Sequence, residues 1–96
     1  PFSPDGDGFD DVLTIELALP GLSNTVDLVV YNVQGRVVRT LMDSQQCGQL
    51  AQLSWDGTGD GGARLSMGRY IIYLRAEPEA GEVVEAAKVV VLARRM

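Results

Sequence analysis

The chain has no histidine in its 96 residues. That removes the commonest general base, the nucleophilic triads built on it, and most zinc sites. It has one cysteine, Cys47, which can form neither an internal disulfide nor a Cys-x-x-Cys site. A nucleophilic role for that thiol would need a base the chain does not have, so Cys47 reads as a loop or partly buried thiol. Long apolar runs are also missing, none being longer than the five residues Val89 to Ala93. A membrane helix needs ~20, so no membrane insertion by a helix is expected. No charged-then-apolar leader opens the chain. It begins at Pro1, which reads as a fragment or a mature product.

Positive charge is scarce where negative charge is dense. The net charge is −5. Residues 1–11 carry four aspartates and no base, whereas the remaining residues hold eight basic and nine acidic side chains. An acidic patch with no basic face argues against nucleic acid or an anionic membrane as partner and invites a cation. Without histidine and with so small a chain, catalysis is not expected, because it depends on positioned acid–base groups.

What is present is a series of strand patterns separated by turn residues. Val12 to Leu19 alternates, with Leu13, Ile15, Leu17 and Leu19 on one face. Thr25 to Val33 puts Val26, Leu28 and Val30 on one side and Asp27 and Tyr31 on the other. Asn32 to Gly35 supplies turn residues, and Arg36 to Met42 completes a predicted hairpin. Asp43 to Gly48 is polar and reads as a loop. Gln49 to Trp55 alternates again, with Ala51, Leu53 and Trp55 on the apolar side. Tyr70, Ile72 and Leu74 form one face of the next strand, Glu77 to Gly81 a turn, and Val83 to Ala93 a last and longest strand. By parity Tyr70 points to the core and Tyr73 away from it, which separates the tyrosines. The valine run of the last strand suits burial on both faces or pairing at a sheet edge. Strands at this spacing predict one domain over residues 1–96: an all-β, Ig-like antiparallel sandwich of about seven strands.

Two segments could hold a cation. In Phe2-Ser3-Pro4-Asp5-Gly6-Asp7-Gly8-Phe9-Asp10-Asp11, a tight loop could gather oxygens from Asp5, Asp7 and Asp11 and from the backbone at Phe9. Calcium takes six to eight such ligands in flexible geometry. The segment departs from an EF-hand loop, since Phe9 and Asp10 stand where a carboxylate and a glycine are usual. A solvated Asp/Gly turn is the competing reading. In Asp56-Gly57-Thr58-Gly59-Asp60-Gly61-Gly62, Asp56 and Asp60 are expected to bond their own backbone in consecutive turns. Trp55, at the end of an apolar face, is expected to fill the core rather than to stack on a sugar.

Several pieces together resemble bacterial export and flagellar modules. The opening Phe2 to Gly8 is similar to the start of gliding-motility C-terminal domains, and Val29-Val30-Tyr31-Asn32-Val33-Gln34-Gly35-Arg36-Val37-Val38 is similar to their second hairpin. Trp55-Asp56-Gly57-Thr58 and Gly68-Arg69-Tyr70-Ile71-Ile72-Tyr73-Leu74 resemble the Ig-like domain of the flagellar hook-capping protein. Lys88-Val89-Val90-Val91 resembles the tail of type IX secretion C-terminal domains. The type IX resemblance implies a non-enzymatic sorting and anchoring module. Its carriers would be the hairpin at Gly35 and the strand of Lys88, Val89, Val90 and Val91. Its partners would be outer-membrane secretion machinery or neighbouring domains of the parent, and its location the cell surface or the exterior, reached through the periplasm. The hook-capping resemblance implies the alternative, a structural or adhesive Ig-like accessory domain, stiffened by calcium if the aspartate segment binds it. No other cofactor is expected.

Overall fold

A computed structural model describes residues 13–92 as six antiparallel strands without a helix. The strands are β1 (Leu13–Ala18), β2 (Asn24–Asn32), β3 (Val37–Cys47), β4 (Leu50–Trp55), β5 (Gly68–Pro78) and β6 (Val84–Leu92). They form a two-stranded sheet, β1-β4, and a four-stranded sheet in the order β3-β2-β5-β6. The two sheets make a sandwich-like arrangement, as the sequence pattern predicts.

The alternation that defines each strand also builds the core. Leu17 of β1, Trp55 of β4, Val26, Leu28 and Val30 of β2, Tyr70, Ile72 and Ala76 of β5 and Leu92 of β6 are buried in one cluster. Trp55, 1% exposed, meets the Tyr70 ring edge to face, with centroids 5.9 Å apart. This contact joins the two sheets, since Trp55 ends β4 and Tyr70 lies on β5. The indole N–H donates to the Thr58 carbonyl at 2.9 Å, and the Tyr70 hydroxyl donates to the Ser66 carbonyl at 2.6 Å. Each aromatic thus buries its ring while its polar end is satisfied.

A buried asparagine fixes the ends of the strands. Asn24, 1% exposed, accepts from Gly21 N–H at 3.0 Å and donates to the carbonyls of Gly21, Cys47 and Gly48. One side chain therefore ties the β1–β2 turn to the β3–β4 turn. A buried amide is stable only when satisfied in this way.

Three expectations are corrected. Most of the expected Asp43 to Gly48 loop, Asp43 to Cys47, is instead the second half of β3, with Gln45, Gln46 and Cys47 opposite Val26, Thr25 and Asn24 of β2 and an irregularity at Asp43 and Ser44. Its polar residues suit an edge strand, and they are bonded: the Gln46 side chain donates to the Thr25 hydroxyl at 2.8 Å, and the Ser44 backbone N–H donates to the Asp27 carboxylate at 2.8 Å. Glu77 and Pro78 belong to β5 rather than to a turn, opposite Thr25 and Asn24. The last strand is not the longest: β6 has nine residues, and β3 and β5 have eleven each.

Candidate functional site

The sequence-derived candidates fall in three places. Asp5, Asp7, Phe9 and Asp11, the candidate calcium ligands, lie outside the described residues. Among the described residues, no group of three or more histidine, cysteine or acidic side chains is placed to hold a metal.

Gly35 sits in the β2–β3 hairpin turn with φ at +83°, a conformation favoured by glycine because it has no Cβ. The turn is closed from Asn32. Its carbonyl accepts from Gly35 N–H at 3.0 Å, and its side-chain oxygen accepts from Gln34 and Arg36 N–H, each at 3.0 Å. Gly35 thus has a complete conformational role in the hairpin.

Lys88, Val89, Val90 and Val91 are in β6, at one end of the four-stranded sheet. They pair with Ile72, Ile71, Tyr70 and Arg69 of β5. Val90 shares its parity with buried Leu92 and is half-buried. Val89 and Val91 point the other way and are 58% and 40% exposed. The apolar run is therefore that of an edge strand rather than one buried on both faces. Gly35 and the Lys88–Val91 run are in different elements at different edges, since β3 and β6 are the two outer strands of the sheet.

Between β1 and β6 the sandwich leaves an open apolar groove of about 280 Å³. Leu13 and Ile15 line one wall and Leu74 and Val90 the other, with Glu16 and Lys88 contributing the charged groups. Among the described residues, two strands face four across the sandwich.

The Asp56–Gly62 loop works differently from a cation loop. The Asp56 carboxylate accepts from the Thr58 hydroxyl at 2.6 Å and from Thr58 N–H at 3.1 Å. The Thr58 hydroxyl bond is the main reason the Asp56 carboxyl is held below its usual range. Asp60 does not bond its own turn as expected. Its carboxylate accepts from Thr40 N–H on β3 at 2.8 Å, while its own N–H donates to the Val38 carbonyl at 3.0 Å. Arg39 completes the attachment, donating to the Thr58 hydroxyl at 3.1 Å and to the Gly59 carbonyl at 3.0 Å. The loop is thereby laced along the outer edge of β3. This use of Asp60 could not be read from spacing, because Thr40 is 20 residues away.

Parity does place the tyrosines. Tyr70 is inside, whereas Tyr31 and Tyr73 meet on the outer face of the sheet, edge to face with centroids 6.3 Å apart. Loss of solvent around the ring and a hydrogen bond to Glu85 of β6 push the Tyr73 phenol above its usual range. Parity separates Tyr70 from Tyr73 as expected, but the meeting of Tyr31 with Tyr73 was not expected, because it depends on β2 and β5 being neighbours with Val29 opposite Tyr73.

A search of the curated proteins found no match. A family model does match, that of the FlgD Ig-like domain, over residues 5–81. The matched span contains β1 to β5, the hairpin at Gly35, Trp55 and the laced loop, and ends before β6. On a match covering well over half of its residues, the chain belongs to the FlgD Ig-like domain family.

Proposed function

We propose that this chain is a non-catalytic structural Ig-like module, which lends rigid, shaped surface to a larger exported bacterial protein. The observation that carries this reading is the family match across the sandwich. The way the polar residues are used agrees with it. Asn24, Asp56, Asp60 and Arg39 hold turns and loops to strands, rather than converging on a cavity. Such wiring stiffens a scaffold. The neighbouring domains of the parent are then its partners, and the cell surface or the exterior its location.

A second reading is supported by one observation. Val89 and Val91 are exposed on an edge strand, where a sorting machinery could engage the Lys88–Val91 run that resembles a type IX tail. One experiment separates the two. Residues 1–96 are fused behind a periplasmic reporter in a host with a type IX system. The structural reading predicts that the folded reporter stays in the periplasm. Export to the surface or medium that is lost on removing residues 88–96 would overturn it in favour of sorting.

A further inference from the structure

The two edges of the four-stranded sheet are treated in opposite ways. The β3 edge is defended. Its register against β2 shifts three times, Ser44 has φ at +49°, and Asp43 to Gln46 are polar. The loop through Gly59 and Asp60 also occupies its backbone groups at Val38 and Thr40. Bulges, polar side chains and a covering loop are the devices by which sheets avoid edge-to-edge association. The β6 edge has almost none of them. Its nine residues pair with β5 without a register shift. It contains no proline, and no described strand pairs with its other side. Val84, Val89 and Val91, with Val83 just before the strand, are exposed. Lys88 and Glu85 are its only charges.

We infer that β6 is an interface for a second copy of this chain, the two β6 strands pairing antiparallel about a twofold axis at Ala87. A twofold interface brings a patch against itself, so the patch must be self-complementary. About Ala87 the outer positions of the stretch Val83 to Val91 repeat themselves, valine meeting valine at both ends, while the inner charged residues meet uncharged ones. Pairing about that residue sets Val84 opposite Val90 of the second copy, Val83 opposite Val91, Glu85 opposite Val89 and Lys88 opposite Ala86. Residues directly opposite in an antiparallel pair face the same side of the sheet, so each of these pairs matches in parity. No like charges meet directly. The twofold placed at Glu85 would oppose two glutamates, and placed at Lys88 two lysines, each of which is destabilising. The product is a continuous eight-stranded sheet, with the defended β3 edges outermost and no further pairing possible at β6. The inference goes beyond the proposed structural role and does not depend on the parent's identity.

Sedimentation equilibrium of the 96-residue chain up to ~1 mM tests it, millimolar dissociation constants marking the weak end of specific association. A monomer–dimer equilibrium is expected. Val89→Glu, which sets a glutamate directly opposite Glu85 of the second copy at two places, should weaken it at least ~10-fold, while leaving the melting temperature of the dilute protein unchanged, because Val89 is largely exposed. In a Cys47→Ser background, Ala87→Cys should oxidise to a disulfide-linked dimer, since opposed Cα atoms lie ~4.5–5.5 Å apart across an antiparallel pair. Val84→Cys, opposite Val90 rather than itself, should not. A monomer at every concentration, or a dimer indifferent to Val89→Glu, would overturn the interface. Equal cross-linking at positions 84 and 87 would overturn the register.

Discussion

Replacing Trp55 tests the join between the two sheets. The side chain is 1% exposed, packs edge to face on Tyr70, and donates its indole N–H to the Thr58 carbonyl. Trp55→Ala removes the ring and leaves a cavity that neighbouring strands fill only in part. Such substitutions cost about 3–5 kcal/mol. A domain of this size has on the order of 5–15 kcal/mol in total, so the loss is a large fraction of it. At roughly 4–8 °C per kcal/mol, the melting temperature should fall by at least ~12 °C. Trp55→Phe separates the two parts of the contact. It retains most of the ring packing but leaves the Thr58 carbonyl without its indole donor, for a cost of about 1–2 kcal/mol. Urea unfolding followed by circular dichroism reads both variants, because Trp55 is the chain's one tryptophan and its fluorescence is lost with it. In the unsubstituted chain, that fluorescence should be blue-shifted and protected from quencher. A loss below ~1 kcal/mol for Trp55→Ala, or a red-shifted, freely quenched emission, would refute the placement of this ring between the sheets.

The Asp56 carboxyl has its pKa lowered in the folded state, so its contribution is present above the unfolded value and lost as pH falls through the folded one. Stability of the unsubstituted chain should therefore decline below about pH 4 more than that of Asp56→Asn, and parallel acid unfolding curves for the two would count against the Thr58 bond. Asp56→Ala should cost about 1 kcal/mol at neutral pH, read as a shift in the urea midpoint, and no shift would mean that the loop holds without it. If Asp5, Asp7 and Asp11 gather a calcium ion, adding chelator should lower the melting temperature, as for any ligand bound only to the folded state. An identical melt with calcium and with chelator would remove that site.

Much of the fold was legible in the sequence because burial follows a period of two. Val26, Leu28 and Val30 point inward, Trp55 closes β4, and Tyr70 and Tyr73 part company, all as alternation requires. The second half of β3 was hidden because an edge strand with polar neighbours shows no such alternation. Asp43 to Gly48 reads as a loop by composition, yet Gln45 to Cys47 pair with Val26, Thr25 and Asn24 of β2, and Asp27 holds the Ser44 N–H across the sheet. The partner of Asp60 was hidden for a related reason. An aspartate followed by glycine signals a local turn, and only the folded chain brings Thr40 within reach. The valine run of β6 announced a strand, but whether its outer face meets protein or solvent depends on sheet order, which local pattern does not encode.

That sheet order is the central claim: β2 and β5 are paired on both sides, β3 is defended, and among the described residues no strand pairs with the outer side of β6. Amide hydrogen exchange across a concentration series reads it residue by residue. The account predicts slowest exchange in β2 and β5. At low concentration, β6 should show alternate protection, with only the amides directed at β5 shielded, and the others should become protected as concentration rises. A β6 without protection at any concentration, or an interior strand exchanging faster than β6, would contradict it.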